Sequence, residues 1–78
     1  MDRKTIEEKV IELVGVAYRK DISEISADTV LRDLSSRSIL LAGLVSLLCE
    51  EFNISLSIPE VDVCGNVGAI VNLILEKI

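Results

Sequence analysis

Residues 34 to 44 read LSSRSILLAGL, and this stretch decides the fold. Ser35, Ser36, Arg37 and Ser38 stand directly before an apolar segment, and the twelve residues Ser38 to Cys49 carry no charge. That run is too short to cross a bilayer, which takes roughly 20 apolar residues. It reads instead as a buried helix of strong helix formers, starting in the serine cluster and running to about Phe52. Gly43 inside it costs about 1 kcal/mol relative to Ala. Asn53, the stretch Ser55 to Ser57 and Pro59 end it. The serines have two readings. One of them caps the helix, for which Ser35, Ser36 and Ser38 all qualify by type; or one hydroxyl is a chemical handle.

Upstream, Thr5 to Glu8 has the spacing of a capping box, a hydroxyl answered three residues later by a carboxylate. Ile6, Val10, Leu13, Val14 and Ala17 then repeat on one face, with Lys4, Glu7, Glu8 and Glu12 off it, which predicts a first helix over about residues 4 to 18. Residues 19 to 35 hold no sustained period; Ile22, Ile25, Val30, Leu31 and Leu34 read as anchors that pin a long loop onto a core. Loops of this length are uncommon in small domains and often carry function. Downstream, Pro59 to Val63 suits a short helical turn with Pro at its first position. Asn66 caps a last helix whose face is Val67, Ile70, Val71 and Ile74, extended by Ile78. The expectation is all-α: one domain over residues 1 to 78, a small antiparallel bundle of three to four helices with a long loop between the first two.

Composition narrows function by exclusion. Half of the 78 residues are hydrophobic, yet only Tyr18 and Phe52 are aromatic, so the core is aliphatic. The formal net charge is −5, without a basic stripe or aromatic platforms for a nucleic acid. Five acids between residues 33 and 62 (Asp33, Glu50, Glu51, Glu60 and Asp62) face Arg37 as the one base there. The lack of His removes a zinc site of ordinary composition and any Ser-His or Cys-His pair, so no metal site and no autonomous enzyme is expected. Cys49 and Cys64 read as reduced thiols of a cytoplasmic protein, packed as small apolar residues.

The quoted stretch and its neighbours resemble the acyl carrier protein family. TIEEKVIELV is similar to that family's first helix. ISADTVLRDLSSRSILLAGLVSLLCEEFNISL is similar to its central region, in which an acidic turn precedes the cofactor-bearing serine and a helix ends in acids and Phe. NVGAIVNLI is similar to its last helix. By position, the resemblance implies that Ser38 bears a covalent 4'-phosphopantetheine derived from coenzyme A. Ile39 stands for the Leu of the family's Asp-Ser-Leu motif, and Arg37 stands where the Asp does.

That resemblance implies a shuttle, not an enzyme. It would carry acyl intermediates as thioesters between enzymes of fatty-acid, polyketide or related specialised biosynthesis. Expected partners are a phosphopantetheinyl transferase and acyl-processing or acyl-transferring enzymes, with no nucleic acid and no membrane span, the carrier itself a monomer. The alternative is a carrier-fold interaction module without the prosthetic group, favoured by Arg37. At a helix start, a phosphodiester would meet free N–H groups and the positive end of the dipole, and Arg37 could add a charge-assisted contact. Taking Ile39, Ala42, Val45, Leu48 and Phe52 as the inward face of the second helix leaves Leu40, Gly43, Leu44 and Leu47 outward. With Arg37 above and Glu50 and Glu51 below, these form the expected partner surface.

Overall fold

A computed structural model describes residues 2 to 78, from which Met1 is omitted. It contains α1 (Arg3–Tyr18), a 3-10 turn (Ile22–Glu24), α2 (Leu31–Leu34), α3 (Ser38–Phe52), α4 (Ile58–Cys64) and α5 (Val67–Lys77). Helix α1 packs against both α3 and α5, and α4 bridges α3 and α5. The architecture is therefore the expected helical bundle, with α1, α3 and α5 as its long members.

Packing follows the apolar faces. Ile6, Val10, Leu13 and Val14 of α1 meet Leu44, Val45, Leu48 and Phe52 of α3 and Val67, Ile70, Val71 and Ile74 of α5 in one aliphatic core, closed by Val61 of α4. Burying an aliphatic side chain of this size contributes about 1.5–3 kcal/mol. This holds helices that would be marginal in isolation at these lengths. Ile78 does not extend the α5 face; it is exposed at the helix end.

Helix starts differ from expectation at two places. The N-cap of α1 is Asp2, whose carboxylate accepts from the Thr5 N–H at 2.8 Å. The proposed box from Thr5 to Glu8 is not formed, because Thr5 already lies inside the helix, where its hydroxyl cannot cap. At α4, Ser57 and Glu60 form the reciprocal capping box, and Pro59 sits at the second helical position. Asn66 caps α5 through the Ala69 N–H, as the sequence implied.

The long connection is more ordered than its lack of period suggests. Its 3-10 turn is closed by Asp21 and Glu24 in a small capping box. Past that turn the backbone is stitched to the α4–α5 corner: Leu31 N–H donates to the Gly65 carbonyl at 2.9 Å, Val67 N–H to Thr29 at 3.1 Å and Gly68 N–H to Ala27 at 2.8 Å. A Cβ on Gly68 would stand 3.2 Å from the Ala27 carbonyl oxygen, close enough that the loop would have to give by a few tenths of an ångström. Of the five presumed anchors, Ile25 and Leu31 are buried and Leu34 is half-buried, but Ile22 and Val30 are exposed. Backbone hydrogen bonds, rather than those two side chains, hold the loop.

Candidate functional site

The site is built where the stitched loop delivers the chain to α3. Ser35 closes α2 in extended backbone, and its hydroxyl accepts from the Arg37 N–H at 3.1 Å. Arg37 occupies the N-cap position of α3 with φ −75° and ψ 119°, and no side chain caps the helix. None of the three serines therefore takes the capping role that composition offered them. Ser38 is the first helical residue and is exposed. In the first turn of α3 the Leu40 N–H donates to the Arg37 carbonyl at 3.2 Å, and no side chain takes the N–H groups of Ser38 and Ile39.

A cleft of about 190 Å³ opens beside Ser38. Ser38 and Leu41 of α3 form one wall, Ile58 and Asp62 of α4 the other, and Tyr18 and Leu31 also line it. The Arg32 guanidinium reaches from α2 to the Asp62 carboxylate at 3.3 Å, tying two short helices together along the cleft. Burial, and then the Asp62 charge, raises the Tyr18 phenol above its usual range, so it stays protonated at neutral pH.

The residues expected to form the partner surface separate into three groups. Arg37, Gly43, Glu50 and Glu51 are exposed. Leu40 and Leu47 are half-buried and pack against the core. Leu44 is wholly buried and is removed from that surface, while Ile39, assigned inward, is 69 % exposed. The inward line of α3 is Leu44, Val45, Leu48 and Phe52, and the outward line is Ile39, Gly43, Ser46 and Glu50. The sequence holds only a weak marker of this side, the helical spacing of Ser46 and Glu50 with Ile39 and Gly43, too slight in an uncharged run to choose among several apolar lines. Val63 of α4, 85 % exposed, and the partners across the cleft, Tyr18, Arg32 and Asp62, were not singled out beforehand. The acids Glu60 and Asp62 are engaged with Lys77 and Arg32.

Residues 5 to 74 match the family model described as phosphopantetheine attachment site. The chain belongs to that family. It is a carrier domain of the family to which 4'-phosphopantetheine is covalently attached, and such domains are carriers, not catalysts. Its fold is shared with the NMR structure of the HMG-ACPI domain from the CurA module of Lyngbya majuscula, with a TM-score of 0.87 at 17 % sequence identity. That match covers 96 % of this chain and 76 % of the other. No curated protein matches the carrier domain by sequence.

The residues present fit the group. An ester to the arm requires a hydroxyl open to a transferase, and Ser38 is exposed and not used in capping. The domain's own thiols stay in the background. Cys49 and Cys64 are free and half-buried, and each points its hydrogen at a backbone carbonyl, Leu56 and Glu60 respectively. Burial, with Glu60 and Glu76 nearby, pushes the Cys64 thiol up, which leaves it less thiolate and less nucleophilic at neutral pH. Among the described residues no helix is long and apolar enough to cross a membrane, and no group of three or more metal-ligating side chains occurs.

Proposed function

We propose that Ser38 is the attachment serine, and that the domain carries acyl intermediates as thioesters to enzymes of fatty-acid, polyketide or related biosynthesis. The observation that carries this reading is an exposed hydroxyl at an uncapped helix start, opening onto a cleft. The arm, when bound, supplies the thiol that holds the cargo. The chain's own contribution is presentation. Leu44, Val45 and Leu48 anchor α3 in the core, and the helix packs against α1, so the hydroxyl at its first residue is presented from an anchored helix.

Partner enzymes, a phosphopantetheinyl transferase first among them, meet Ser38 from the outward side of α3. That side offers Ile39, Gly43 and Ser46 before the first acid at Glu50. Gly43 has nothing within 4 Å of where a Cβ would stand, so no intramolecular clash requires it. Its helical cost of about 1 kcal/mol fits a role in close approach by a partner. Docking here is governed by apolar contact more than by acids, and binding to a cognate enzyme persists at high salt; collapse of affinity between 0.1 and about 1 M salt refutes it. Arg37 removes the acid that the resemblance associates with transferase recognition, which points to dedicated rather than housekeeping partners.

Arg37 also favours the second reading, a carrier-fold interaction module whose serine is not loaded. Intact mass after incubation with coenzyme A and a transferase separates the two. A pantetheine-sized adduct that disappears in Ser38→Ala supports loading at Ser38, and an unchanged mass with transferases of several specificities leaves the module.

A further inference from the structure

We propose that Arg37 holds the phosphodiester of the arm at the mouth of the Ser38 cleft, so that the arm sets out along the cleft instead of projecting freely. This rests on Ser38 being the attachment point. Two cations line the cleft, Arg32 and Arg37. Arg32 is committed: its guanidinium lies 3.3 Å from one Asp62 oxygen and 3.4 Å from the other. Arg37 forms no ion pair among the described residues, and the one carboxylate lining the cleft, Asp62, is already taken. The uncommitted guanidinium therefore belongs to the residue directly before the oxygen that would carry the anion. It is also the one base between residues 33 and 62, amid five acids.

Shape agrees with charge. A phosphodiester keeps two non-bridging oxygens and one negative charge, and the planar guanidinium fork addresses two such oxygens at once. The Arg37 backbone is already fixed by its N–H bond to the Ser35 hydroxyl and by the extended geometry at the N-cap. Only the side chain has to settle onto the phosphate. A carboxylate on a partner enzyme is the competing occupant for the same guanidinium.

The test uses the full chain loaded from coenzyme A and reads phosphorus NMR shift and relaxation. Loaded wild type at low salt is expected to show a phosphorus that tumbles with the protein. In Arg37→Ala the resonance moves and relaxes like that of a free arm. In Arg32→Ala, whose charge is spent on Asp62, it moves less. Raising salt from about 0.1 M to about 1 M shortens the screening length from roughly 10 Å to roughly 3 Å, and should convert wild type towards the Arg37→Ala behaviour. That titration decides the matter even if Arg37→Ala resists loading. Identical shift and relaxation in wild type and Arg37→Ala overturn the proposal. So does an Arg37→Ala chain that loses affinity for a partner while its phosphorus is unchanged, which assigns Arg37 to a partner's carboxylate. A wild-type chain that keeps its encoded mass removes the Ser38 reading together with this one; a loaded chain with an indifferent phosphorus removes only the role of Arg37.

Discussion

At the start of α4, the Ser57 hydroxyl accepts from the Glu60 N–H and the Glu60 carboxylate accepts from the Ser57 N–H; at the start of α3, Arg37 holds the N-cap position with no side-chain bond at all. The starts of α1 and α5 side with α4, capped by Asp2 and Asn66. The exception is the helix whose first residue is Ser38. A cap contributes about 1 kcal/mol, and the chain uses one at each other helix of seven residues or more. It omits one beside the hydroxyl that would be esterified, where no side chain takes the N–H groups of Ser38 and Ile39. A local rule broken at one place and kept elsewhere is what a functional site leaves in a foldable sequence.

The sharpest break of this comparison is Ser38→Ala. Loading, read by intact mass, is expected to vanish completely, while stability stays within about 0.5 kcal/mol, because the hydroxyl is exposed and caps nothing. A clear loss of stability would return Ser38 to a structural role. Next comes the contrast between the two sides of α3. Leu44→Ala, at a fully buried position, should cost about 2–5 kcal/mol in a denaturant melt. Ile39→Ala should leave the melt within about 0.5 kcal/mol and act on partner affinity.

Smaller effects bear on the caps themselves. Ser57→Ala should destabilise by about 1 kcal/mol. Arg37→Asp should do the reverse, stabilising by up to about 1 kcal/mol by supplying the missing cap and a favourable charge at the helix start. If Arg37→Asp gains nothing, the start of α3 is satisfied in some other way and the contrast fails. The smallest effect is pH-dependent. The hydrogen bond from Lys77, and then those from Ser57, hold the Glu60 carboxyl below the usual range. A carboxyl depressed in the folded state contributes stability above its unfolded value, about 4.3. That contribution is lost as pH falls further through the folded value. Acid melts of Glu60→Gln should therefore show a shallower fall below about pH 4 than wild type.

Much of the fold was legible because periodicity carries the core. Ile6, Val10, Leu13 and Val14 of α1 and Val67, Ile70, Val71 and Ile74 of α5 are buried as their spacing implied, though Ala17 is only half-buried and Ile78 exposed. The cap at Asn66 was legible too. The face of α3 was not, since twelve residues without a charge leave several apolar lines of nearly equal merit, and Leu44 and Ile39 exchanged places. The candidate serine was legible only through its resemblance; three serines in four residues are equivalent by composition.

Residue pattern is enough to require that three apolar helical faces share one aliphatic core, and that a serine stands at the head of the least charged helix. Long-range packing set which side of α3 is wet, left Ser36 and Ser38 open with Ser35 half-buried, and left Arg37 uncommitted while Arg32 pairs with Asp62. Those outcomes depend on contacts between distant segments, Gly65 with Leu31, Asp62 with Arg32 and α1 with α3, and no local pattern encodes a neighbour tens of residues away.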